Sequence, residues 1–336
     1  MSYYNFRQFL LRYFKNGCLS KSDKFISLFS STLPFQLNAT KISNYFAQVE
    51  NSSNYSEYIQ YSIENYTGSN LYAKKISDFL KTTIGDNLLG AYVHGSVATS
   101  EEIPYSDFDG FIILKNETIL DSKKLKRVAQ VLGESEKIMF EMDPLQHHGW
   151  FILTENDLKN YPEYYLPSDI LNFSKCLFGK NQISLRVKKT GFKNEYIESF
   201  HSMVSAIHKK LESKSFLKNY YSFKNLLSQF MLLPSFYIQA KTANGIYKKF
   251  SFEKVKTEIK EKYNVMDEIS FLRKNWNYHP PSFYRLIIKY PDSILRLLPS
   301  QYFSGDLPQD VINKFDDSFI KRMQDFINNL KDYLEE

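Results

Sequence analysis

The chain has 336 residues, 43% of them hydrophobic, which is enough for a sizeable core and excludes a wholly disordered protein. Lysine and arginine (43) exceed aspartate and glutamate (37), and the resulting net charge of +6 suits a polyanionic ligand but is weak support for one. Two cysteines exclude a disulfide framework, and no apolar run is long enough to cross a bilayer, so we expect a cytoplasmic protein without membrane insertion.

The first 70 residues predict a helical lead, made of short helices joined by polar stretches. Within it, residues 52–67 have mixed periodicity and receive no assignment. Apolar residues then recur at helical spacing and predict a helix over 71–84. The turn-forming sequence at 85–87 ends that helix.

The apolar pattern next changes to runs of strand length, which indicates an α+β core over residues 71–190. The expected fold is a small mixed β-sheet flanked by helices. Its predicted elements are strands at 88–93, 108–114, 138–142 and 149–153, and an amphipathic helix at 120–136.

Helical signals dominate from residue 191 to residue 336, which predicts a C-terminal α-helical domain. Prolines at 280, 281 and 291 interrupt the pattern. The expected helices cover 195–213, 219–240, 251–262, 266–275 and 308–334.

The stretch that carries chemistry is LLGAYVHGSVATSEEIPYSDFDGFIIL, residues 88–114. Gly95 permits a tight turn where a strand ends, and N–H groups at the start of a following helix favour phosphate oxygens, to which Ser96 adds a hydroxyl. Further on, Asp107 and Asp109 lie two residues apart, so on a strand both carboxylates point to the same face. A divalent metal is their natural partner, because carboxylates on an otherwise apolar strand need compensation.

This order of Gly-Ser, a short gap and Asp-x-Asp on a strand resembles the DNA polymerase β superfamily of nucleotidyltransferases. The resemblance is tight over the motif and loose over the α+β core. It implies that Asp107 and Asp109 hold Mg²⁺ or Mn²⁺, while Gly95 and Ser96 position the β,γ-phosphates of an NTP or dNTP. The implied reaction moves a nucleoside monophosphate to an acceptor hydroxyl and releases pyrophosphate.

The resemblance also implies a third acid on a neighbouring strand. Asp143, next to the predicted strand at 138–142, is the first choice as a further metal ligand and as the group that activates the acceptor hydroxyl. Soon after it come two adjacent histidines, which on a strand would point to opposite faces and could not easily bind one ion. His148 is a candidate phosphate contact or general base, with a structural role as the alternative.

In related enzymes the helical domain supplies a lysine to the triphosphate. Lys248 and Lys249 follow a long apolar helix and are the candidates for this role. Ser251 would either cap the next helix or touch phosphate. Simple capping beside solvated lysines is the alternative for this segment.

The acceptor stays open at this level. A small molecule, as in antibiotic-modifying enzymes, fits the size of the chain. An untemplated oligonucleotide synthase of antiphage defence, possibly protein-primed, fits equally, as does a toxin-type enzyme that nucleotidylates tRNA or protein. The non-enzymatic alternative is a catalytically dead protein that binds nucleotide. No sequence feature indicates an oligomeric state.

Overall fold

The computed structural model describes residues 9–10, 20–27, 32–48, 57–104, 106–163, 165–187, 193–288 and 302–335. In these ranges the protein has a four-stranded mixed sheet flanked by helices, a two-stranded sheet and a helical C-terminal region. The predicted α+β class is therefore confirmed. None of the described helices combines the length and the apolar character that a membrane span requires.

The elements up to the first long helix are α1 (Lys21–Ser27), α2 (Leu33–Leu37), α3 (Ala39–Gln48), β1 (Glu57–Ser62) and α4 (Leu71–Ile84). The central part consists of β2 (Leu88–His94), α5 (Gly95–Thr99), β3 (Asp109–Leu114), α6 (Asn116–Leu120), α7 (Ser122–Met142), β4 (Phe151–Thr154), α8 (Glu155–Lys159), β5 (Lys175–Gly179) and β6 (Gln182–Val187). The C-terminal region contains α9 (Lys193–Ser213), α10 (Tyr220–Phe230), α11 (Leu233–Thr242), α12 (Lys248–Ile259), α13 (Asn264–Lys274), α14 (Ser282–Ile288), α15 (Gln309–Lys314) and α16 (Asp317–Glu335).

The larger sheet has the strand order β4-β3-β2-β5. β2 runs antiparallel to both β3 and β5, whereas β3 runs parallel to β4. The register of β2 on β3 pairs His94 with Asp109. The end of β2 and the start of β3, the two central strands, therefore meet at one end of the sheet, where the Gly-Ser turn and the acidic pair lie together.

Alternation along the strands divides the sheet between two cores. One face packs against helices α4 and α7, and the opposite face packs against β1 and β6. The buried residues of β2 and β3 on the helical face are Leu88, Ala91, Val93, Ile112 and Leu114. Those on the opposite face are Tyr92, Phe111 and Ile113. Both faces of this small sheet are thus covered, so its candidate functional groups lie at the ends of the central strands.

One predicted strand is wrong. Residues 138–142 form the last turns of α7, which continues to Met142. The buried positions of this helix recur at helical spacing from Leu125 through Leu132 to Met139, so the short apolar run at its end belongs to the same helical face. The strand expected at 149–153 is found as β4, and the strands expected at 88–93 and 108–114 are found as β2 and β3.

The structure also adds two strand pairings that the sequence did not indicate. β1 lies within the segment that received no assignment, and it pairs antiparallel with β6. β5 joins the edge of the main sheet beside β2. In the C-terminal region the single helix expected over 219–240 is divided into α10 and α11, because Pro234 lacks an N–H and starts a new helix.

Candidate active site

Gly95 brings the end of β2 into close contact with β3. Its φ is +68°, a left-handed conformation that glycine adopts without steric cost. A Cβ atom built on Gly95 would lie 2.5 Å from Oδ2 of Asp109, so a side chain at this position would collide with the carboxylate. Glycine is therefore required here both for the backbone conformation and for the approach of the turn to Asp109.

Ser96 is the second residue of the short helix α5 and is half-buried beside this turn. Its carbonyl oxygen accepts a hydrogen bond of 2.8 Å from the amide of Glu101, which turns the chain into the loop before β3. Ser96 thus lies at the same end of the central strands as Asp109.

Asp107 immediately precedes β3 and is paired with a lysine from the helical region. The Lys224 side chain of α10 is wholly buried, and its Nζ donates a hydrogen bond of 2.5 Å to Oδ1 of Asp107. Burial by itself would raise the pKa of Asp107, but the charge of Lys224, with a contribution from His147, outweighs burial and holds that pKa well below its usual range. Asp107 is therefore an ionised carboxylate inside the protein.

Asp143 does not lie on a strand, because it follows the last residue of α7 at the helix C-cap. The same Lys224 Nζ donates to its Oδ2, and the amide of Leu145 donates to its Oδ1 at 3.1 Å. Burial raises the pKa of Asp143, and the neighbouring Asp107 carboxylate raises it further against the opposing effect of Lys224. The third predicted acid is thus brought beside Asp107, but with both oxygens occupied.

Asp109 is paired with a different residue, His148, which lies in the loop between α7 and β4. Nε2 of His148 is 2.9 Å from Oδ1 of Asp109. Burial would lower the pKa of His148, but the hydrogen bond and charge of Asp109 raise it to about 9. Burial would likewise raise the pKa of Asp109, and the bond from His148 lowers it. The two form an ion pair at neutral pH.

The adjacent histidines lie next to different carboxylates, His147 beside Asp107 and His148 beside Asp109. His147 is buried against the ring of Tyr221, with its Nδ1 4.0 Å from Oδ2 of Asp107. Burial lowers the pKa of His147 to about 3, so this imidazole is neutral. The expectation that the two side chains could not easily share one ion agrees with this division, although they lie in a loop and not on a strand.

Gln146 fixes this loop to the backbone between the two aspartates. Its side-chain amide donates to the carbonyl of Phe108 at 2.8 Å, and its Oε1 accepts from the amide of Phe108 at 2.9 Å. The same Nε2 also donates to the carbonyl of His148 at 2.9 Å. Gln146 therefore locks the histidine loop in register with Asp107 and Asp109.

Lys248 is half-buried at the start of α12 and lies within electrostatic range of the acidic pair. Burial lowers its pKa to about 7, and the charge of Arg273 lowers it too, while Asp109 and Asp107 act in the opposite direction. Lys248 therefore faces the acidic pair from the helical region, with Arg273 as its other charged neighbour.

The two other residues predicted in this segment lie elsewhere. Lys249 is exposed and forms an ion pair of 2.5 Å with Glu101. Ser251 is fully buried inside α12, where its hydroxyl donates to the carbonyl of Lys248 and lies 3.0 Å from the hydroxyl of Ser235. The prediction that Ser251 caps the helix is wrong, because α12 begins at Lys248 and its N-cap is Tyr247.

The helical region holds the loop after α7 at several points besides Lys224. Tyr221 packs on His147, and the hydroxyl of Tyr284 donates to the carbonyl of Pro144 at 2.6 Å. Leu145, Tyr221 and Tyr284 form a small buried cluster of their own. The geometry of the acidic cluster thus depends on helices that follow it in the sequence by more than 70 residues.

Sequence reasoning missed Lys224 and Gln146. Lys224 is 117 residues away from Asp107, and no local pattern joins them. One signal was present, because Lys224 lies three residues after Tyr221 and three before Leu227, within an otherwise apolar helical stripe. A lysine at such a position requires a buried partner.

The predicted metal site fits the structure only in part. Over the described ranges, no group of three or more histidine, cysteine, aspartate or glutamate side chains is arranged to hold a metal ion. Asp143 is engaged by Lys224 and the Leu145 amide, so a three-carboxylate site does not fit. Asp107 and Asp109 do fit a Mg²⁺ that takes its remaining ligands from substrate phosphates and water, which is the usual way proteins bind this ion.

No family model matches the chain, and no curated protein matches it by sequence. Among solved structures, it is similar to the crystal structure of spectinomycin adenyltransferase AAD(9) from Enterococcus faecialis with ATP and spectinomycin. The identity is 12%, over 80% of this chain and 100% of that chain, with a TM-score of 0.36. A similarity of this degree establishes neither family nor activity, and the function has to be inferred from the site.

Proposed function

We propose that this protein is a metal-dependent nucleotidyltransferase that moves a nucleoside monophosphate from an NTP or dNTP to an acceptor hydroxyl. The observation that carries the proposal is the close approach of the Gly95 turn to Asp109, where the central strands β2 and β3 meet at one end of the sheet. A turn open to phosphate and an acidic pair suited to a divalent ion are thereby placed within one site.

The triphosphate has complementary groups on two sides. On one side, at the end of β2, Gly95 and Ser96 offer main-chain N–H groups and a hydroxyl. Lys248 presents positive charge from the helical region. Lys248 has a pKa of about 7 in the ligand-free protein, and the negative charge of a bound triphosphate favours its protonated form.

Asp107 and Asp109 would hold Mg²⁺ or Mn²⁺. When bound, such an ion neutralises charge on the phosphates and assists the departure of pyrophosphate. The protein's own contribution to this part of the site is rigidity. Gln146 fixes the backbone between the two carboxylates through hydrogen bonds to Phe108. Lys224 fixes the Asp107 side chain through a hydrogen bond to its Oδ1.

The reaction is an in-line displacement at the α-phosphorus. The acceptor oxygen forms a bond to phosphorus, the bond from phosphorus to the α,β-bridging oxygen breaks, and pyrophosphate leaves with that electron pair. The hydroxyl proton must also leave the acceptor oxygen. Asp143 is poorly suited to take it, because both of its oxygens accept hydrogen bonds. His148 cannot take it either, because it is already protonated in its ion pair with Asp109, so the proton leaves to solvent water at this part-exposed side of the site.

The test is incubation of the purified chain with each α-labelled NTP and dNTP, in Mg²⁺ or Mn²⁺. Candidate acceptors are then added: single-stranded oligonucleotides, tRNA, and hydroxylated antibiotics. We expect labelled product with at least one acceptor class, with the Asp109→Asn variant as the inactive control. A product ladder identifies an oligonucleotide synthase, and label on the chain identifies protein as acceptor. Nucleotide binding without label transfer to any acceptor would contradict the proposal and indicate a nucleotide-binding protein without catalysis.

A further inference from the structure

Lys224 is the most unusual charged residue of the site. Its side chain is completely buried, yet it belongs to helix α10 of the helical region and reaches the acidic cluster of the sheet. Burying an ammonium group without compensation is very costly, so its partners explain its presence. Those partners are the two carboxylates of Asp107 and Asp143.

The position of the Lys224 ammonium is that of a bridging cation. It donates to Oδ1 of Asp107 at 2.5 Å and to Oδ2 of Asp143, and so occupies the space between the two acids. A divalent ion placed between the same oxygens would compete with it directly. Asp107 keeps its other oxygen, Oδ2, on the side of His147, 4.0 Å from that imidazole.

A second lysine that contacts the same helix shows the contrast. Lys210 of α9 donates to the side-chain oxygens of Asn225 and Gln229 on α10, which are neutral amides. Lys210 therefore anchors α9 to α10 without meeting a carboxylate in these bonds. Lys224, on the same helix, is directed at two acids, one of which belongs to the Asp-x-Asp pair.

We propose that the Lys224 ammonium is the resident cation of the Asp107–Asp143 pair, so that the protein binds a single divalent ion, at Asp107 and Asp109, and not two. This inference rests on the proposed function for the identity of the divalent site. A lysine carries one charge, cannot dissociate, and is fixed by α10. It therefore holds Asp143 and Asp107 in place permanently and leaves the exchangeable ion to the side of the site that faces the phosphates.

The experiment counts bound Mn²⁺ by electron paramagnetic resonance, on the full chain with a non-hydrolysable α,β-methylene NTP analogue. The wild type is expected to bind a single ion for each analogue molecule. Lys224→Met removes the ammonium and keeps the apolar stem, and it is expected to gain a second ion between Asp107 and Asp143. The double variant Lys224→Met/Asp143→Asn is expected to return to a single ion. Lys210→Met, the matched control, is expected to bind as the wild type does.

Thermal unfolding in EDTA and in Mn²⁺ provides a second readout. It applies even where Lys224→Met is only marginally stable without metal, because the added Mn²⁺ is then expected to raise its Tm. Lys224→Met is expected to be strongly destabilised in EDTA and to recover most of that loss in Mn²⁺, because the ion replaces the missing charge. Lys210→Met is expected to show the wild-type response to Mn²⁺.

Two bound ions in the wild type would overturn the inference. So would a Lys224→Met variant that gains no ion and is not rescued by Mn²⁺. Failure of the proposed function gives a different result. The wild type would then release no pyrophosphate, while Lys224→Met, titrated with Mn²⁺ in the absence of nucleotide, would still bind one more ion than the wild type.

Discussion

The site has two halves that are built in different ways. The turn half consists of Gly95, Ser96, Asp109 and His148, which lie on or beside adjacent strands and keep some exposure: 28% of the Asp109 side chain and 20% of the His148 side chain. The helix half consists of Asp107, Asp143 and Lys224, with side-chain exposures of 16%, 6% and 0%. The comparison teaches that neighbouring aspartates of one motif have different surroundings, since Asp109 is part-exposed beside His148, whereas Asp107 is tied into the interior by Lys224.

The largest expected effect is on catalysis in the turn half. Asp109→Asn removes the negative charge that would hold the metal but keeps the shape of the side chain. We expect nucleotidyl transfer to fall by on the order of 10³-fold or more, because charge stabilisation at the reacting phosphates is lost. The measurement is the rate of pyrophosphate release. A variant with wild-type activity would contradict the assignment of Asp109, and unchanged circular dichroism would show that the fold is retained.

The next effect is on stability in the helix half. Lys224→Met leaves the buried Asp107 carboxylate, with the Asp143 carboxyl group beside it, without its cation, and removal of one partner of a buried ion pair typically costs about 3–5 kcal/mol. Urea unfolding in EDTA, monitored by tryptophan fluorescence, measures the loss. Asp109→Asn is the comparison, because its side chain is part-exposed and we expect a smaller change. Equal stabilities for the two variants would remove the distinction between the halves.

Gly95→Ala tests the close contact that joins β2 to β3. We expect a loss of about 1–3 kcal/mol, because alanine is strained at a φ of +68° and its Cβ would lie 2.5 Å from Oδ2 of Asp109. Gly85→Ala is the matched control. Gly85 has an ordinary helical φ of −52°, and the nearest atom to an added Cβ is 3.9 Å away. Similar unfolding midpoints for both variants would show that the turn is not constrained as described.

The ion pair of His148 and Asp109 predicts a pH dependence of stability in the metal-free protein. The pKa of His148 is raised from 6.5 to about 9, so the folded state binds the proton more tightly than the unfolded state. The stabilisation is fully present below pH 6.5 and is lost as the pH rises through about 9. The measurement is the difference in Tm between the wild type and His148→Asn in EDTA, as a function of pH. A difference that stays constant from pH 6 to pH 10 would rule out the ion pair.

The smallest effects separate the two adjacent lysines of α12. Lys248→Ala is expected to weaken nucleotide binding by about tenfold, or 1.4 kcal/mol, because it removes a charge close to the acidic pair. Wild-type affinity should also fall as the pH rises above about 7, the pKa of Lys248, and this slope should be absent in the variant. Lys249→Ala is the control and is expected to bind nucleotide normally, since Lys249 pairs with Glu101 at the surface. Calorimetric titration with the non-hydrolysable analogue provides both values, and equal losses in the two variants would place Lys249 in the site as well.

The sequence predicted the turn half better than the helix half for a physical reason. Gly95, Ser96 and Asp109 belong to strands that are adjacent in the chain, so their proximity follows from hairpin-like pairing and from the period of two. Asp143 was placed on a strand because the last turn of α7 is apolar, and its position beside Asp107 depends on contacts with α10 that no local pattern encodes. Lys224 was visible only as a charge within an apolar helix.

The fold shows the same division. Strands β2 and β3 and helix α4 carry regular apolar spacing and were predicted with nearly correct bounds. β1 and β6 pair with each other across more than 100 residues. β6 carries alternating buried apolar residues, Ile183, Leu185 and Val187, but nothing local identifies β1 as its partner. Such pairings are decided by tertiary packing and not by local propensity.

The most direct test of nucleotidyl transfer follows the γ-phosphate. An NTP labelled at the γ-position is incubated with the wild type, Mg²⁺ and an acceptor that was positive in the α-label experiment, and the released label is separated into pyrophosphate and orthophosphate. The proposed mechanism predicts label in pyrophosphate, in equal amount to the α-label that joins the acceptor, and none with Asp109→Asn. Label recovered as orthophosphate, or attached to the acceptor, would contradict it, because the bond broken would then be the one between the β- and γ-phosphates.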